Sequence, residues 1–151
     1  MTRVPDYMKR PIEVKLDNEF CMPERIHDSD AGADLRSIND HVIQPGSMEV
    51  VDTGVAVKVP VGYVGLVFSR SSQGKAGVTL ANSTGVIDSD YRGNIKVMLK
   101  NNSNEPYEIK ALNTRIAQLV IVPVMLATFV NFESTWDDTA RGTGGFGSTG
   151  A

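Results

Sequence analysis

Nine consecutive residues carry the densest chemistry in the sequence: Gly85-Val86-Ile87-Asp88-Ser89-Asp90-Tyr91-Arg92-Gly93. Two carboxylates, an aromatic ring and a guanidinium stand between two glycines, a set able to hold a water molecule, a sugar face and a phosphate close together. A second segment, Ser69-Arg70-Ser71-Ser72-Gln73-Gly74-Lys75, follows a β-forming run and gathers hydroxyls and cations around a glycine. Arginine forks grip two oxygens while serines and backbone N–H groups fill the remainder, which suits a polyphosphate. A plain polar turn explains the same residues equally well. In Ala31-Gly32-Ala33-Asp34-Leu35-Arg36-Ser37, Asp34 and Arg36 share one face of an extended strand, and a surface ion pair alone accounts for them. Arg115 and Gln118 flank an apolar run, where the amide reaches a phosphate or caps a neighbouring chain.

The last eleven residues, 141–151, combine Arg141, Phe146, hydroxyls and many glycines. Too little apolar surface is present there to order the segment, so a mobile tail is expected. One expected role is closure over an anionic ligand, with backbone N–H groups facing phosphate oxygens; the plainer alternative is a disordered end. Gly142, Gly144 and Gly147 match G-x-G-x-x-G, but the dinucleotide fingerprint must follow a strand and open a helix, and here the sequence stops. Asp28, Asp30 and Asp34 fail the EF-hand spacing, and no direct metal cage is expected. Cys21 with only His27 and His41 makes a poor zinc set.

These segments need a scaffold, and the sequence points to an all-β one. Helical periodicity is nearly absent. Short β-forming runs recur at 42–43, 48–51, 55–59, 63–68, 78–81, 95–99, 107–109, 116–122 and 128–132, separated by Gly, Pro and Asn. That rhythm predicts a sandwich or barrel. The runs at 78–80 and 95–99 flank the 85–93 segment and predict a hairpin with the chemistry at its tip. The almost wholly apolar run 116–122 predicts a strand buried on both faces. At 151 residues the chain fits one domain, which buries roughly 68–70% of its unfolded surface. The division expected is a β domain over 1–140 and a tail over 141–151.

A net charge of −3 without a basic stripe gives no reason to expect nucleic acid as a partner. No apolar run approaches the roughly 18 residues that cross a bilayer, so no membrane partner is expected. Residues 1–11 lack the apolar core of a secretory leader, and the lone Cys21 suits a reducing compartment, so the cytoplasm is the expected location.

Taken in order, residues 31–37, 69–75, 85–93, 115–121 and 141–147 closely resemble the five motifs of the trimeric dUTP pyrophosphatase (dUTPase) family. The resemblance runs from Ala31 to the C-terminus and is most specific in the third and fifth motifs. It implies an all-β, jelly-roll-like homotrimer with active sites at subunit interfaces. The implied reaction is hydrolysis of dUTP to dUMP and pyrophosphate, which limits uracil in DNA and supplies dUMP for dTMP synthesis. Asp88 matches the carboxylate that orients and deprotonates the attacking water. Tyr91 matches the ring that packs on the deoxyribose and excludes a 2′-hydroxyl. Asn82, with nearby backbone, matches the reader of uracil, and Gly85, Ile87 and Met98 fall at further substrate-binding positions. Arg70, Ser71 and Gln118 match phosphate-binding positions, and Ser72 falls at a further substrate-binding position. Arg141 and Ser148 match tail positions for the γ-phosphate, Phe146 matches the ring over uracil, and Gly147 falls at a further substrate-binding position. Asp34 matches the residue that supports a Mg2+ network through water, making Mg2+ the implied cofactor.

Two departures stand out. Ser69 occupies a position where many members have proline, and the span from Arg70 to Asn82 is about one residue shorter than in common cellular forms. The latter is associated with phage or viral members, for which the location becomes the host cytoplasm. Carboxylates titrate near 4, so an aspartate base works mainly through positioning. Asp90 and Arg92 read as residues that hold the turn. Three other functions compete. The related dCTP deaminases carry a Glu where this chain has Met98, and a thioether shuttles no protons. A nucleotide-dependent module that binds a regulatory protein partner remains open as an added role. A purely structural jelly roll leaves the Arg, Asp and glycine-rich tail combination unexplained.

Overall fold

Short alternating runs become short strands. The computed structural model describes residues 9–135 and 137–145. In chain order these contain β1 (Val14–Leu16), a 3-10 turn (Glu19–Cys21), β2 (Ala33–Arg36), β3 (His41–Ile43), β4 (Met48–Asp52), β5 (Val55–Val57) and β6 (Tyr63–Phe68). A short helix α1 (Ser71–Lys75) is followed by β7 (Val78–Leu80), β8 (Gly85–Ile87), β9 (Lys96–Asn101), β10 (Tyr107–Ile109) and β11 (Arg115–Pro123). The fold is all-β and jelly-roll-like. Among the described residues no helix is long and apolar enough to cross a membrane.

One sheet has the order β2-β11-β6-β8 and another the order β4-β9-β7; β1 pairs with β5 and β3 with β10. All of these pairings are antiparallel. Alternation puts Val97 and Leu99 of β9 inward while Lys96 and Lys100 face out. Those side chains join Leu35, Val67, Ile116 and Leu119 of the four-stranded sheet in one core. Truncating a fully buried residue such as Leu99 to alanine removes about 2–5 kcal/mol of stability. Asn101 is buried with every polar atom engaged. Its Nδ2 donates to the Ile43 and Glu105 carbonyls at 2.9 and 2.8 Å, and its Oδ1 accepts from Ser103 N and Oγ. A buried amide satisfied in this way stabilises rather than penalises the core.

Four features differ from the sequence-based expectations. The flanking runs pair as β7 with β9, but the segment between them is no simple hairpin, because β8 crosses to the other sheet and pairs with β6. Residues 71–75 form a helical turn. In β11 only Ile116, Ala117 and Leu119 are buried, while Val120, Ile121 and Val122 are half-buried in the single chain. Residues 128–132 form no strand: Phe129 is 94% exposed, and β11 ends at Pro123 before the chain leaves the sheets. A strand needs an edge to pair with, and among the described residues no strand pairs with this run.

Candidate functional site

Sheet register places three residues in one row across three strands. Asp34 of β2 lies opposite Gln118 of β11, which lies opposite Phe68 of β6. Two residues beyond Phe68, Arg70 turns back and its Nε donates to Asp34 Oδ1 at 2.7 Å. Arg115, at the start of β11, donates from Nη1 to Asp34 Oδ2 at 3.0 Å. The Asp34 side chain is 14% exposed. Two guanidiniums around one carboxylate leave one net positive charge, a local field that favours an anion. Arg70 Nη1 also donates to Ser72 Oγ at 3.3 Å and to the Arg115 carbonyl at 3.4 Å. Arg36, the expected surface partner of Asp34, instead pairs with Glu24 at 2.7 Å.

Local sequence explains why this cluster is fixed. Gly32 carries no side chain because a Cβ there would stand 2.5 Å from Gln118 Oε1. The Gln118 amide donates to the Ser69 carbonyl at 3.0 Å. Ser69 accepts the Leu80 N–H on its Oγ at 2.9 Å and so ties the second motif to β7. Gln73 is buried, and its Oε1 accepts from the Arg70 N–H at 3.3 Å. Ser71 and Ser72 open α1 and are exposed.

The other candidate residues gather elsewhere. Gly85 pairs opposite Val67, where a Cβ would meet the Val67 Cβ at 3.1 Å, and Ile87 pairs opposite Gly65 while packing on the core. Asp88 follows immediately and is exposed. Tyr91 Oη donates to the Asn94 carbonyl at 2.9 Å. Its ring folds over Gly93, where a Cβ would stand 2.6 Å from the phenol oxygen. Arg92 Nη1 donates to the Ser89 and Tyr91 carbonyls, an internal brace for the turn. Asn82 is exposed beside Ser83, whose φ of 62° is left-handed. The preceding Ala81 N–H donates to the Met98 carbonyl at 2.8 Å, which brings Asn82, just past the end of β7, near Met98 in the middle of β9.

Register also measures the gap between the two groups. Ile87 sits opposite Gly65, so Asp88 lies beside Val64, six residues before Arg70. At roughly 3.3 Å per residue, about 13 Å of β6 separates Val64 from Phe68, the residue level with Gln118 and Asp34, and three strand spacings of about 4.8 Å separate β8 from β2. Arg141 is exposed on the C-terminal segment, with its Nε donating to the Gly144 carbonyl at 2.9 Å. Phe146, Gly147 and Ser148 lie outside the described residues.

The role of Arg115 was open in the sequence, because its partner Asp34 is 81 residues away. The surviving signal was an arginine heading an apolar strand. As to metal, no cluster of three His, Cys, Asp or Glu occurs among the described residues. Both Asp34 oxygens already accept from guanidiniums, so Asp34 fits a magnesium ion only through water, which Mg2+ commonly retains.

Comparison with known proteins places this geometry. Residues 18–150 match the dUTPase family model. A deoxyuridine 5'-triphosphate nucleotidohydrolase of Corynebacterium glutamicum is 48% identical over 138 residues, covering 91% of this chain and 92% of the relative. A variant of the Staphylococcus bacteriophage 80alpha dUTPase with dUpNHpp superposes with a TM-score of 0.82 at 33% identity, covering 95% of this chain and 100% of that one. A variant of the dUTPase from phage phi11 of S. aureus, in which a structural Mg(II) ion is coordinated, gives a TM-score of 0.77 at 31% identity over 85% of this chain and all of its own.

Proposed function

Because the chain belongs to the dUTPase family and is a dUTP diphosphatase, converting dUTP to dUMP and pyrophosphate, we propose that it does so in sites shared between copies of itself. One copy supplies the arginine cluster and another the Asp88 segment. The observation that carries this reading is the separation of the end of β8, which Asp88 follows, from Asp34 and its arginines: about 13 Å along β6 and three strand spacings of about 4.8 Å across the sheet, beyond the reach of one triphosphate's reacting end. The assembly is a homotrimer. Its formation is supported by the apolar stretch after β11, where Met125, Leu126, Phe129 and Val130 are all exposed, since contiguous apolar surface of this kind marks an interaction site.

In such a site Asp88 orients the attacking water and takes its proton, a contribution of about 10²–10⁴ in rate for a placed base. Tyr91 packs on the deoxyribose and leaves no room for a 2′-hydroxyl. Asn82 and the backbone around Ser83 read uracil, with Gly85, Ile87 and Met98 shaping the pocket. Arg70, Ser71, Ser72 and Gln118 hold the phosphates. Arg70 keeps Nη2 without a protein partner among the described residues, so that donor points to the ligand. Asp34 would hold a triphosphate-borne magnesium ion through water, and that ion would supply charge neutralisation at the phosphate oxygens. The tail, 141–151, closes over the nucleotide, with Arg141, Gly147 and Ser148 toward the γ-phosphate and Phe146 over the base. This chemistry takes place in the cytoplasm.

Pyrophosphate release measured on dUTP, dTTP, UTP and dCTP tests the reading. Turnover of dUTP at least about a hundredfold above the others is expected from a pocket that reads groups by fit and hydrogen bonding. Equal turnover of dTTP refutes the assignment of Asn82 and its neighbours. An added regulatory role has one supporting observation, the likeness to the 80alpha enzyme, described as controlling transfer of virulence genes. A nucleotide-binding but inactive variant that still captures a protein partner supports that role; loss of capture with loss of nucleotide closure ties it to the tail.

A further inference from the structure

Tyr91 is held in place from outside its own loop. Asp17 lies immediately after β1 and just before the span matched by the family model. Its Oδ2 accepts from Asn94 Nδ2 at 2.6 Å, across 77 residues of sequence. The Asn94 carbonyl in turn accepts the Tyr91 phenol at 2.9 Å. Both ends of this relay are anchored. The Asp17 N–H donates to the Gly54 carbonyl at 2.9 Å. The residue after Asn94 is locked by three bonds: Ile95 N–H to the Val55 carbonyl, and Thr53 N–H and Oγ1 to the Ile95 carbonyl. Asn94 therefore has a fixed backbone on one side and a charged acceptor gripping its side chain. Gly93 completes the arrangement, since a side chain there would occupy the space of the Tyr91 ring.

From this relay we infer that Asp17 is a specificity-determining positioning residue, setting through Asn94 where the Tyr91 ring stands and hence how strictly a ribonucleotide is refused. The inference rests on the proposed packing of Tyr91 against the sugar. A ring excludes one added hydroxyl only if it cannot retreat, and a displacement of about 1 Å is enough to change such a fit. Holding the phenol through the Asn94 carbonyl prevents that retreat. Asp17 acts through Asn94, so its removal acts on the comparison between substrates more than on the chemistry itself.

The test is the ratio of kcat/KM for dUTP to that for UTP, by pyrophosphate release from the full chain. In Asp17→Ala the ratio falls about tenfold, the effect of losing one charge-assisted hydrogen bond, mainly through faster UTP turnover. Asp17→Asn keeps a carbonyl acceptor and holds the ratio within about twofold of the parent. Tyr91→Phe, which loses the phenol bond, lowers the ratio similarly, and Asp17→Ala adds nothing to it, as expected for residues acting through one contact. An unchanged ratio in Asp17→Ala beside a collapsed ratio in Tyr91→Ala overturns the role of Asp17 while leaving the sugar packing intact. An unchanged ratio in Tyr91→Ala overturns the sugar packing, and this inference with it. Lower dUTP turnover or a lower melting temperature in Asp17→Ala with the ratio intact marks Asp17 as merely structural.

Discussion

The two ends of β6 are built differently. At its C-terminal end Asp34, Arg70, Arg115 and Gln118 are half-buried and tied to one another across three strands. At its N-terminal end Asp88 and the neighbouring Tyr91 are exposed, on a segment braced largely through its own carbonyls. On the proposed reading the first is an anion clamp, its guanidiniums already held in place by Asp34. On the same reading the second is a reactive edge, its carboxylate exposed and its counterpart supplied by another copy. Preorganised charge belongs where phosphate is gripped, because reorganising guanidiniums during the reaction would forfeit the gain. A water-directing carboxylate needs open access until the substrate seals it.

This contrast is broken or sharpened by substitutions at each end. The largest effect belongs to the reactive edge: Asp88→Asn keeps nucleotide binding but loses at least about a hundredfold in turnover, measured by pyrophosphate release beside a binding titration. Near-normal turnover there removes Asp88 from the chemistry. Deleting residues 141–151 comes next, with about a hundredfold loss from missing γ-phosphate donors and an assembly of unchanged size by light scattering. Full activity after deletion leaves the tail without a role.

A smaller effect is expected within the clamp. Arg115→Ala frees Asp34 to pull on Arg70 alone, so KM rises about tenfold while kcat changes less. A pure kcat loss instead assigns Arg115 to the chemistry.

The smallest effect lies beside the clamp. A hydrogen bond from Arg36, reinforced by its charge, holds the Glu24 carboxyl below its ordinary value of 4.5. The pair therefore stabilises the folded chain above that value, and the contribution is lost as pH falls through the lower folded value. Glu24→Gln melts slightly below the parent at pH 7, and thermal melts of the two converge in acid. A gap that widens in acid contradicts the sign.

Much of this was legible in the sequence, for identifiable reasons. Strands such as β6 and β9 announce themselves because one face meets the core and turn residues bound them. The motif segments were legible because their chemistry is local: Asp88 and Tyr91, or Arg70 and Ser71, are neighbours in the chain. The switch of β8 between sheets was not, since periodicity tells which face is apolar and nothing about the partner strand. Residues 128–132 have strand composition, but composition supplies no edge. The Arg115–Asp34 and Asp17–Asn94 contacts join residues 81 and 77 positions apart, separations that only the folded register reveals. Position 69 was visible as a departure, but the bond from Ser69 Oγ to β7 that gives the serine its use was not.

The claim that one site draws its clamp and its reactive edge from different copies is tested by mixing two inactive variants, Asp88→Asn and Arg70→Ala, through unfolding and joint refolding in equal amounts. Each intact site then needs an unaltered Asp88 from one variant and an unaltered Arg70 from the other, so about a quarter of the parent's dUTP turnover returns in the mixed assembly. Turnover no greater than that of the separate variants contradicts the shared site.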